Sequence, residues 1–140
     1  ADGKLILAST INSIRPQTIQ DGGDSFVAVA GKESGTGAVR LVKLSKSDLS
    51  QMGQSQVDIF PSSDLWMRNG RFYAVGKDGR GGYLLVSFDA NLKEIARSPE
   101  GVNPWTAVSF IDDGLVVQTA SGGFMVLSEG NLGLLRHLKP

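Results

Sequence analysis

Short apolar runs of strand length recur along the chain, separated by glycine-rich or polar segments. One set of runs opens at Phe26, Phe72 and Leu115, and each run is followed by a turn and a second apolar run, at residues 41–44, 85–88 and 124–127. The runs alternate with a period of two and are rich in β-branched and aromatic residues, which is typical of strands. No segment sustains a period of 3.6 residues, so the pattern predicts an all-β protein.

The runs belong to an internal repeat. Pro16, Pro61 and Pro104 lie 45 and 43 residues apart, and a β-branched residue stands two positions before each of them. Each second run is followed by a polar link ending in leucine, at Leu49, Leu92 and Leu132, and a further strand follows, for example at residues 57–60 and 94–97. The spacing predicts one domain of three four-stranded antiparallel units, over residues 10–53, 54–97 and 98–140. Residues 1–9 would be the last strand of a preceding unit.

A unit of roughly 40–45 residues with four antiparallel strands has the size of a propeller blade. The sequence resembles the blades of WD40-like and quinoprotein-like β-propellers, and residues 70–98 are the best copy. Propellers use about four to eight blades, so the resemblance implies a partial propeller or a ring shared between chains. A β-trefoil, which also has three four-stranded units, is the alternative, although neither Trp66 nor Trp105 stands in the trefoil's Gln-x-Trp signature.

The stretch from Phe72 to Leu132 carries a second resemblance. Residues 72–75, 83–92 and 96–98 are similar to the C-terminal region of a spirochaete antigen family, the eighty-three/one-hundred-kilodalton antigens. The resemblance implies a protein of the cell envelope or periplasm without a known catalytic site. It transfers no functional residue to this chain.

Charge and composition exclude several classes of partner. The chain has 14 basic and 14 acidic residues, and this neutral balance argues against nucleic acid as a main partner and against an electrostatic membrane anchor. It has no cysteine, so disulfides and thiolate metal sites are excluded. No apolar run approaches the roughly 18 residues that a membrane-spanning helix needs. We therefore predict no cofactor, no metal and no membrane span.

Candidate catalytic groups are sparse. The one histidine, His137, lies near the chain's end, where it is expected to be a solvated side chain. The acidic pairs Asp21 with Asp24 and Asp112 with Asp113 occupy predicted turns, where aspartate is common for conformational reasons. The glutamates form no facing pair in this pattern, and no Gly-x-Ser-x-Gly motif occurs. The sequence predicts that the protein is not an enzyme.

Aromatic residues are the remaining candidates for a binding site. Trp66 and Trp105 follow Pro61 and Pro104, and the interpretation places them in the first strands of their units. They serve either as packing between units or as a stacking surface, with Tyr83 and Arg80 as companions. The resulting prediction is a non-catalytic protein-binding or scaffold domain of the periplasm, cell envelope or extracellular space. A carbohydrate-binding module is the alternative, and a homodimer is one candidate assembly.

Overall fold

The computed structural model describes residues 2–5, 8, 13–15, 19–34 and 37–139, and these ranges contain twelve strands and no helix. In chain order the strands are β1 Gln20–Asp21, β2 Ser25–Gly31, β3 Val39–Ser45, β4 Gln51–Gln54, β5 Leu65–Arg68, β6 Arg71–Lys77, β7 Tyr83–Phe88, β8 Glu94–Arg97, β9 Ser109–Ile111, β10 Gly114–Gln118, β11 Phe124–Leu127 and β12 Leu134–Leu138. The described part of the chain holds no helix long and apolar enough to cross a membrane.

The strands form three four-stranded antiparallel sheets, which confirms the predicted fold class. Each sheet is a meander of four consecutive strands, and within the described ranges no strand pairs in a ladder with a strand of another sheet. This layout favours stacked, blade-like sheets over the β-trefoil alternative. Closure into a ring, the unit boundaries at residues 10–53, 54–97 and 98–140, and the single-domain assignment stay predictions.

The sheets share one register. Ala28 faces Val42 in the first sheet, and Ala74↔Val86 and Val117↔Met125 are the equivalent pairs in the second and third sheets. An isolated bridge precedes each sheet at the same phase, in the pairs Ile14↔Ala30, Ile59↔Gly76 and Val102↔Thr119. The bridge residues lie two positions before the prolines that revealed the repeat, so the sequence period corresponds to a structural period.

Two apolar cores hold the sheets together. Alternate residues of each strand point to opposite faces, and each sheet therefore offers one face to each neighbour. The first core, between the first and second sheets, contains Val27, Leu41, Ile59, Phe72 and Phe88 among others. The second core, between the second and third sheets, contains Tyr73, Leu85, Leu115, Met125 and Leu132 among others.

The three link leucines adopt an unusual backbone conformation. Leu49, Leu92 and Leu132 have φ angles of 57°, 63° and 55°, in the left-handed region that most side chains avoid. Leu92 and Leu132 are 1% and 0% exposed and lie in the first and second cores respectively. Burial of these side chains, at about 1.5–3 kcal/mol each, offsets the cost of the strained turn.

The fourth strand of the first sheet differs from its prediction. Residues 57–60 were expected to form a strand, whereas β4 is Gln51–Gln54. Residues 57–60 form the link between the first two sheets, because Ile59 N donates to Val39 O (2.8 Å) and Phe60 N donates to Val75 O (2.9 Å). Apolar and polar residues alternate along this link, as they do in a strand, because its apolar side chains lie against the first core. The predicted strand at residues 5–9 and the anchor Pro16 fall largely outside the described residues.

Candidate functional site

Three aromatic rings are in contact where the second and third sheets join, and Trp66 lines the cavity beside them. We call these four residues the aromatic cluster: Phe60, Trp66, Tyr83 and Trp105. Phe60 lies at the centre, with its ring centroid 5.2 Å from that of Tyr83 and 5.1 Å from that of Trp105. Both contacts are edge-to-face, at interplanar angles of 69° and 84°. Such pairs add about 0.5–1.5 kcal/mol beyond the area they bury. The rings of Phe60, Tyr83 and Trp105 are therefore packed against one another.

The four residues differ in burial. Phe60, Trp66 and Tyr83 are partly buried and pack against the second core. Trp105 is 71% exposed, the largest exposure of any aromatic side chain in the described part of the chain. The buried members hold the site in place, and Trp105 offers its indole to solvent.

A rigid turn presents Trp105. Thr106 N donates to Asn103 O (2.9 Å), which closes a turn with Pro104 at its second position, where the fixed φ of proline fits. The Asn103 side chain adds two bonds, since its Oδ1 accepts from Trp105 N (2.9 Å) and its Nδ2 donates to Gln118 Oε1 (3.1 Å). The exposed indole is thus carried by a turn that is bonded to β10.

A shallow cavity of about 210 Å³ separates the two tryptophans. It is lined by Ser62, Asp64, Trp66, Pro104, Trp105, Thr106 and Ala107. Two of its polar side chains support the backbone: Thr106 Oγ1 accepts from Gln118 N (2.7 Å), and Asp64 Oδ1 accepts from Leu65 N (2.9 Å). The cavity is accordingly a shallow cleft lined by both aromatic and polar side chains.

Arg80 lies at the tip of the β6–β7 hairpin. The turn is fixed by Asp78, whose Oδ1 accepts from the backbone N of Arg80 (2.6 Å) and of Gly82 (2.9 Å). The hydrogen bond from Arg80 N is the main cause that holds the pKa of the Asp78 carboxyl below its usual value, and the bond from Gly82 N adds to it. The described contacts of Arg80 lie within its own turn, so the structure does not bring it into the aromatic cluster.

A second cavity, of about 330 Å³, opens near the β5–β6 and β11–β12 turns and is lined by Asn69, Arg71, Tyr73, Glu129 and Gly130. Arg71 Nη1 donates to the carbonyl oxygens of Glu129 (3.1 Å) and Gly130 (2.9 Å), which ties the second sheet to the third. Burial is the main cause of the raised pKa of Tyr73. The polar side chain of Arg71 in this cavity thus joins the second sheet to the third.

His137 lies on β12, where it is exposed and forms a hydrogen bond of 3.1 Å between its Nε2 and Glu100 Oε2. The position agrees with the expected solvated side chain. Among the residues that the structure describes, no three histidine, cysteine or acidic side chains are grouped as metal ligands.

The structure brings together three of the four site residues expected from the sequence. Trp66 and Trp105 line one cavity, and Tyr83 joins Trp105 through Phe60. The placement of Trp105 in a first strand was wrong, because β9 begins at Ser109 and the bonds from Asn103 fold residues 103–106 into a turn. Phe60 was missed as a site residue. Its place directly before the repeat anchor Pro61 was the available signal.

The comparison with known protein families identifies the family. A family described as Borrelia P83/100 protein matches residues 3–108 of the 140. The chain belongs to this family. The expected resemblance to the spirochaete antigens is confirmed, and the match begins far upstream of Phe72, where that resemblance was first seen. No curated protein matches the chain.

The P83/100 match ends at residue 108, directly before the first strand of the third sheet. It covers the first two sheets and the link into the third, including all four residues of the aromatic cluster. The third sheet, from Ser109 to Leu138, lies beyond it. The aromatic cluster therefore belongs to the part of the chain that the family shares. P83/100 is an antigen family, which agrees with a non-catalytic protein of the envelope or cell surface.

Proposed function

We propose that this P83/100 chain is a non-catalytic module of the periplasm, cell envelope or cell surface that binds a protein partner through the aromatic cluster. The observation that carries the proposal is Trp105, whose indole is 71% exposed although its turn and its contact with Phe60 hold it in one place. Tryptophan and tyrosine are enriched at the centres of protein interfaces. A preorganised side chain loses little conformational entropy on binding.

The surroundings of Trp105 support a contact surface. Pro104 and Ala107 extend the apolar area beside the indole, while Ser62 and Asp64 line the other side of the cleft. An apolar centre with a polar rim is the usual composition of a protein interface. The Thr106 hydroxyl is used within the fold, because it also donates to Ala107 O (2.7 Å). It is therefore an unsuitable nucleophile, which supports a binding role over catalysis.

A carbohydrate is the second candidate ligand. The cleft between Trp66 and Trp105 is favourable for it, because a sugar ring stacks on an indole while hydroxyl groups bond to polar side chains such as Ser62. The second and third sheets contribute unequal aromatic residues to this site, so it is a single site and not a repeated one. A protein partner remains the proposal that the composition of the surface favours.

The experiment compares Trp105→Ala with the wild-type chain and with Ile95→Ala, a control on the edge strand β8 whose side chain is 40% exposed. Peptides selected from a displayed random library against the wild-type chain are titrated into all three proteins, and the proteins are also applied to a glycan array. We expect selected peptides to bind Trp105→Ala at least tenfold more weakly and Ile95→Ala as tightly as wild type. Both variants should stay folded. Trp105→Ala should lose no more than the contribution of its edge-to-face contact with Phe60, about 0.5–1.5 kcal/mol.

Two results would overturn the proposal. One is equal binding of the selected peptides to wild type and Trp105→Ala. The other is glycan binding that depends on Trp105 with no Trp105-dependent peptide, which would establish the carbohydrate alternative.

A further inference from the structure

Two equivalent turns of the repeat border the cleft between the tryptophans. In each turn the backbone N–H of a buried hydroxyl residue, Thr106 or Ser63, donates to the carbonyl three positions before it, over 2.9 and 2.8 Å. The hydroxyl of the same residue accepts from a strand amide and donates to the carbonyl of the next residue. Directly before the hydroxyl residue lies Trp105 in one turn and Ser62 in the other. Trp105 therefore stands where the preceding unit has a serine.

Strand pairing gives the equivalents of Trp66. In each sheet the residue three positions before the isolated bridge of the second strand pairs with one residue of the first strand, which is Gln20, Trp66 or Ser109. Asp64 and Ala107 are equivalent as well, since each directly follows the hydroxyl residue of its turn. These other units form the same turns and strands with serine, glutamine or alanine. The fold itself therefore does not require two tryptophans and a carboxylate at these positions.

All three departures from the repeat line the same cavity. Trp66 is partly buried against the second core, which holds its indole in place, whereas Trp105 is 71% exposed. Asp64 is exposed beside them. Residues that the repeat does not need are thus gathered at one cleft, and this arrangement indicates a ligand site.

The chemistry of the lining favours a cation. Among the described residues that line the cleft, Asp64 is the charged one. Its Oδ1 accepts from Leu65 N (2.9 Å), a bond that orients the carboxylate and leaves its negative charge in place. The face of an indole attracts a cation through the ring quadrupole. An arginine guanidinium suits both groups, because it is planar, stacks on aromatic rings and pairs with carboxylates.

We propose that the cleft takes an arginine side chain of the protein partner, with the guanidinium between the two indoles and beside Asp64. The inference rests on the proposed protein-binding function and adds the chemistry of the group that is bound. The cavity of about 210 Å³ has room for this planar group. Because Asp64 is exposed, its ion pair contributes little, and the indoles supply most of the affinity.

The indole N–H signals in a nuclear magnetic resonance titration test the cation site. The chain has two tryptophans and both line the cleft, so the two signals report on it directly. N-acetyl-arginine amide is compared with N-acetyl-citrulline amide, an uncharged analogue of the same shape. We expect the arginine amide to shift both signals in a saturable way and the citrulline amide to bind about tenfold more weakly. Equal binding of the two analogues, or unshifted indole signals, would overturn the proposal.

A charge-removing variant tests the role of the carboxylate. Asp64→Asn keeps an acceptor for Leu65 N and should weaken binding of the arginine amide about threefold, the size expected of an exposed ion pair. Asp112→Asn removes the same charge from the turn that follows β9 and should bind the arginine amide as wild type does. Equal binding by the two variants would contradict the contact with Asp64.

The peptides selected for the proposed function separate the two claims. Each arginine of a Trp105-dependent peptide is replaced by citrulline, and we expect one replacement to weaken binding about tenfold. If every replacement leaves Trp105-dependent binding unchanged, the protein-binding function stands and the arginine inference is wrong. If no Trp105-dependent peptide is found, the protein-binding function fails, and the assignment of the cation to a protein partner fails with it.

Discussion

The hydroxyl of Ser98 closes the link between the second and third sheets. Its Oγ accepts from Leu85 N (3.0 Å) and donates to Glu100 O (2.8 Å). Ser55 does the same one unit earlier, where its Oγ accepts from Leu41 N (3.0 Å) and donates to Val57 O (3.0 Å). The repeat therefore uses one buried hydroxyl to satisfy a strand amide and a link carbonyl at the point where the chain leaves a sheet.

Replacing Ser98 with alanine removes both bonds. The N–H of Leu85, a residue that is 0% exposed, loses its partner, and an unsatisfied buried donor costs about 1–3 kcal/mol. The carbonyl of Glu100 lies nearer the surface and can bond to water, so it adds little. We expect Ser98→Ala to lower the free energy of unfolding by about 2 kcal/mol.

Ser87 provides the matched control. It is also buried, at 0% exposure, but its hydroxyl has no hydrogen-bond partner in the described part of the chain. Removing a buried hydroxyl that makes no bond relieves a desolvation cost. Ser87→Ala should therefore leave the free energy of unfolding within about 0.5 kcal/mol of wild type, or raise it.

Urea unfolding followed by tryptophan fluorescence measures both variants. We expect the midpoint of Ser98→Ala to fall with an unchanged m-value, which identifies a change in stability and not in the unfolded state. If Ser98→Ala and Ser87→Ala have the same midpoint, the hydroxyl of Ser98 does not contribute as the geometry indicates.

Two further predictions concern backbone space and charge. A Cβ on Gly114 would lie 2.1 Å from Leu127 O, whereas one on Gly130 would meet nothing within 4 Å. Gly114→Ala should therefore lower the melting temperature clearly, and Gly130→Ala should hardly change it. Equal melting temperatures of the two variants would refute the register of β10 and β11. The hydrogen bond from Arg136 holds the pKa of Asp113 below its ordinary 3.8. Because this pKa is depressed on folding, its stabilisation is present above pH 3.8 and is lost as the pH falls through the lowered value. Asp113→Asn should melt below wild type at pH 7 and equal to it at strongly acidic pH, and a difference that persists in acid would contradict this reasoning.

Much of the fold follows from local pattern. Short apolar runs located β2 and β6, because both faces of each strand are buried and such a strand is apolar at successive positions. Asn69 and Gly70 form the turn between β5 and β6 with φ angles of 52° and 73°, a region that asparagine and glycine tolerate. These features depend only on neighbours in sequence.

The remaining features depend on contacts between distant residues. Residues 57–60 alternate like a strand, and only their bonds to Val39 and Val75 show that they link two sheets. The left-handed conformation of Leu92 and Leu132 has no sequence signal, because leucine is disfavoured there and only core burial compensates. The contact between Phe60 and Trp105 likewise joins two units that lie apart in the chain.

The central claim is that the chain folds as three sheets in one shared register, and the aromatic cluster lies where the second and third of these sheets join. Nuclear Overhauser contacts between backbones test it directly at the equivalent pairs Ala28–Val42, Ala74–Val86 and Val117–Met125. We predict cross-strand contacts at all three pairs and none between strands of different sheets. A missing or shifted contact in any one sheet, or strand pairing that joins two units into a barrel, would contradict the account.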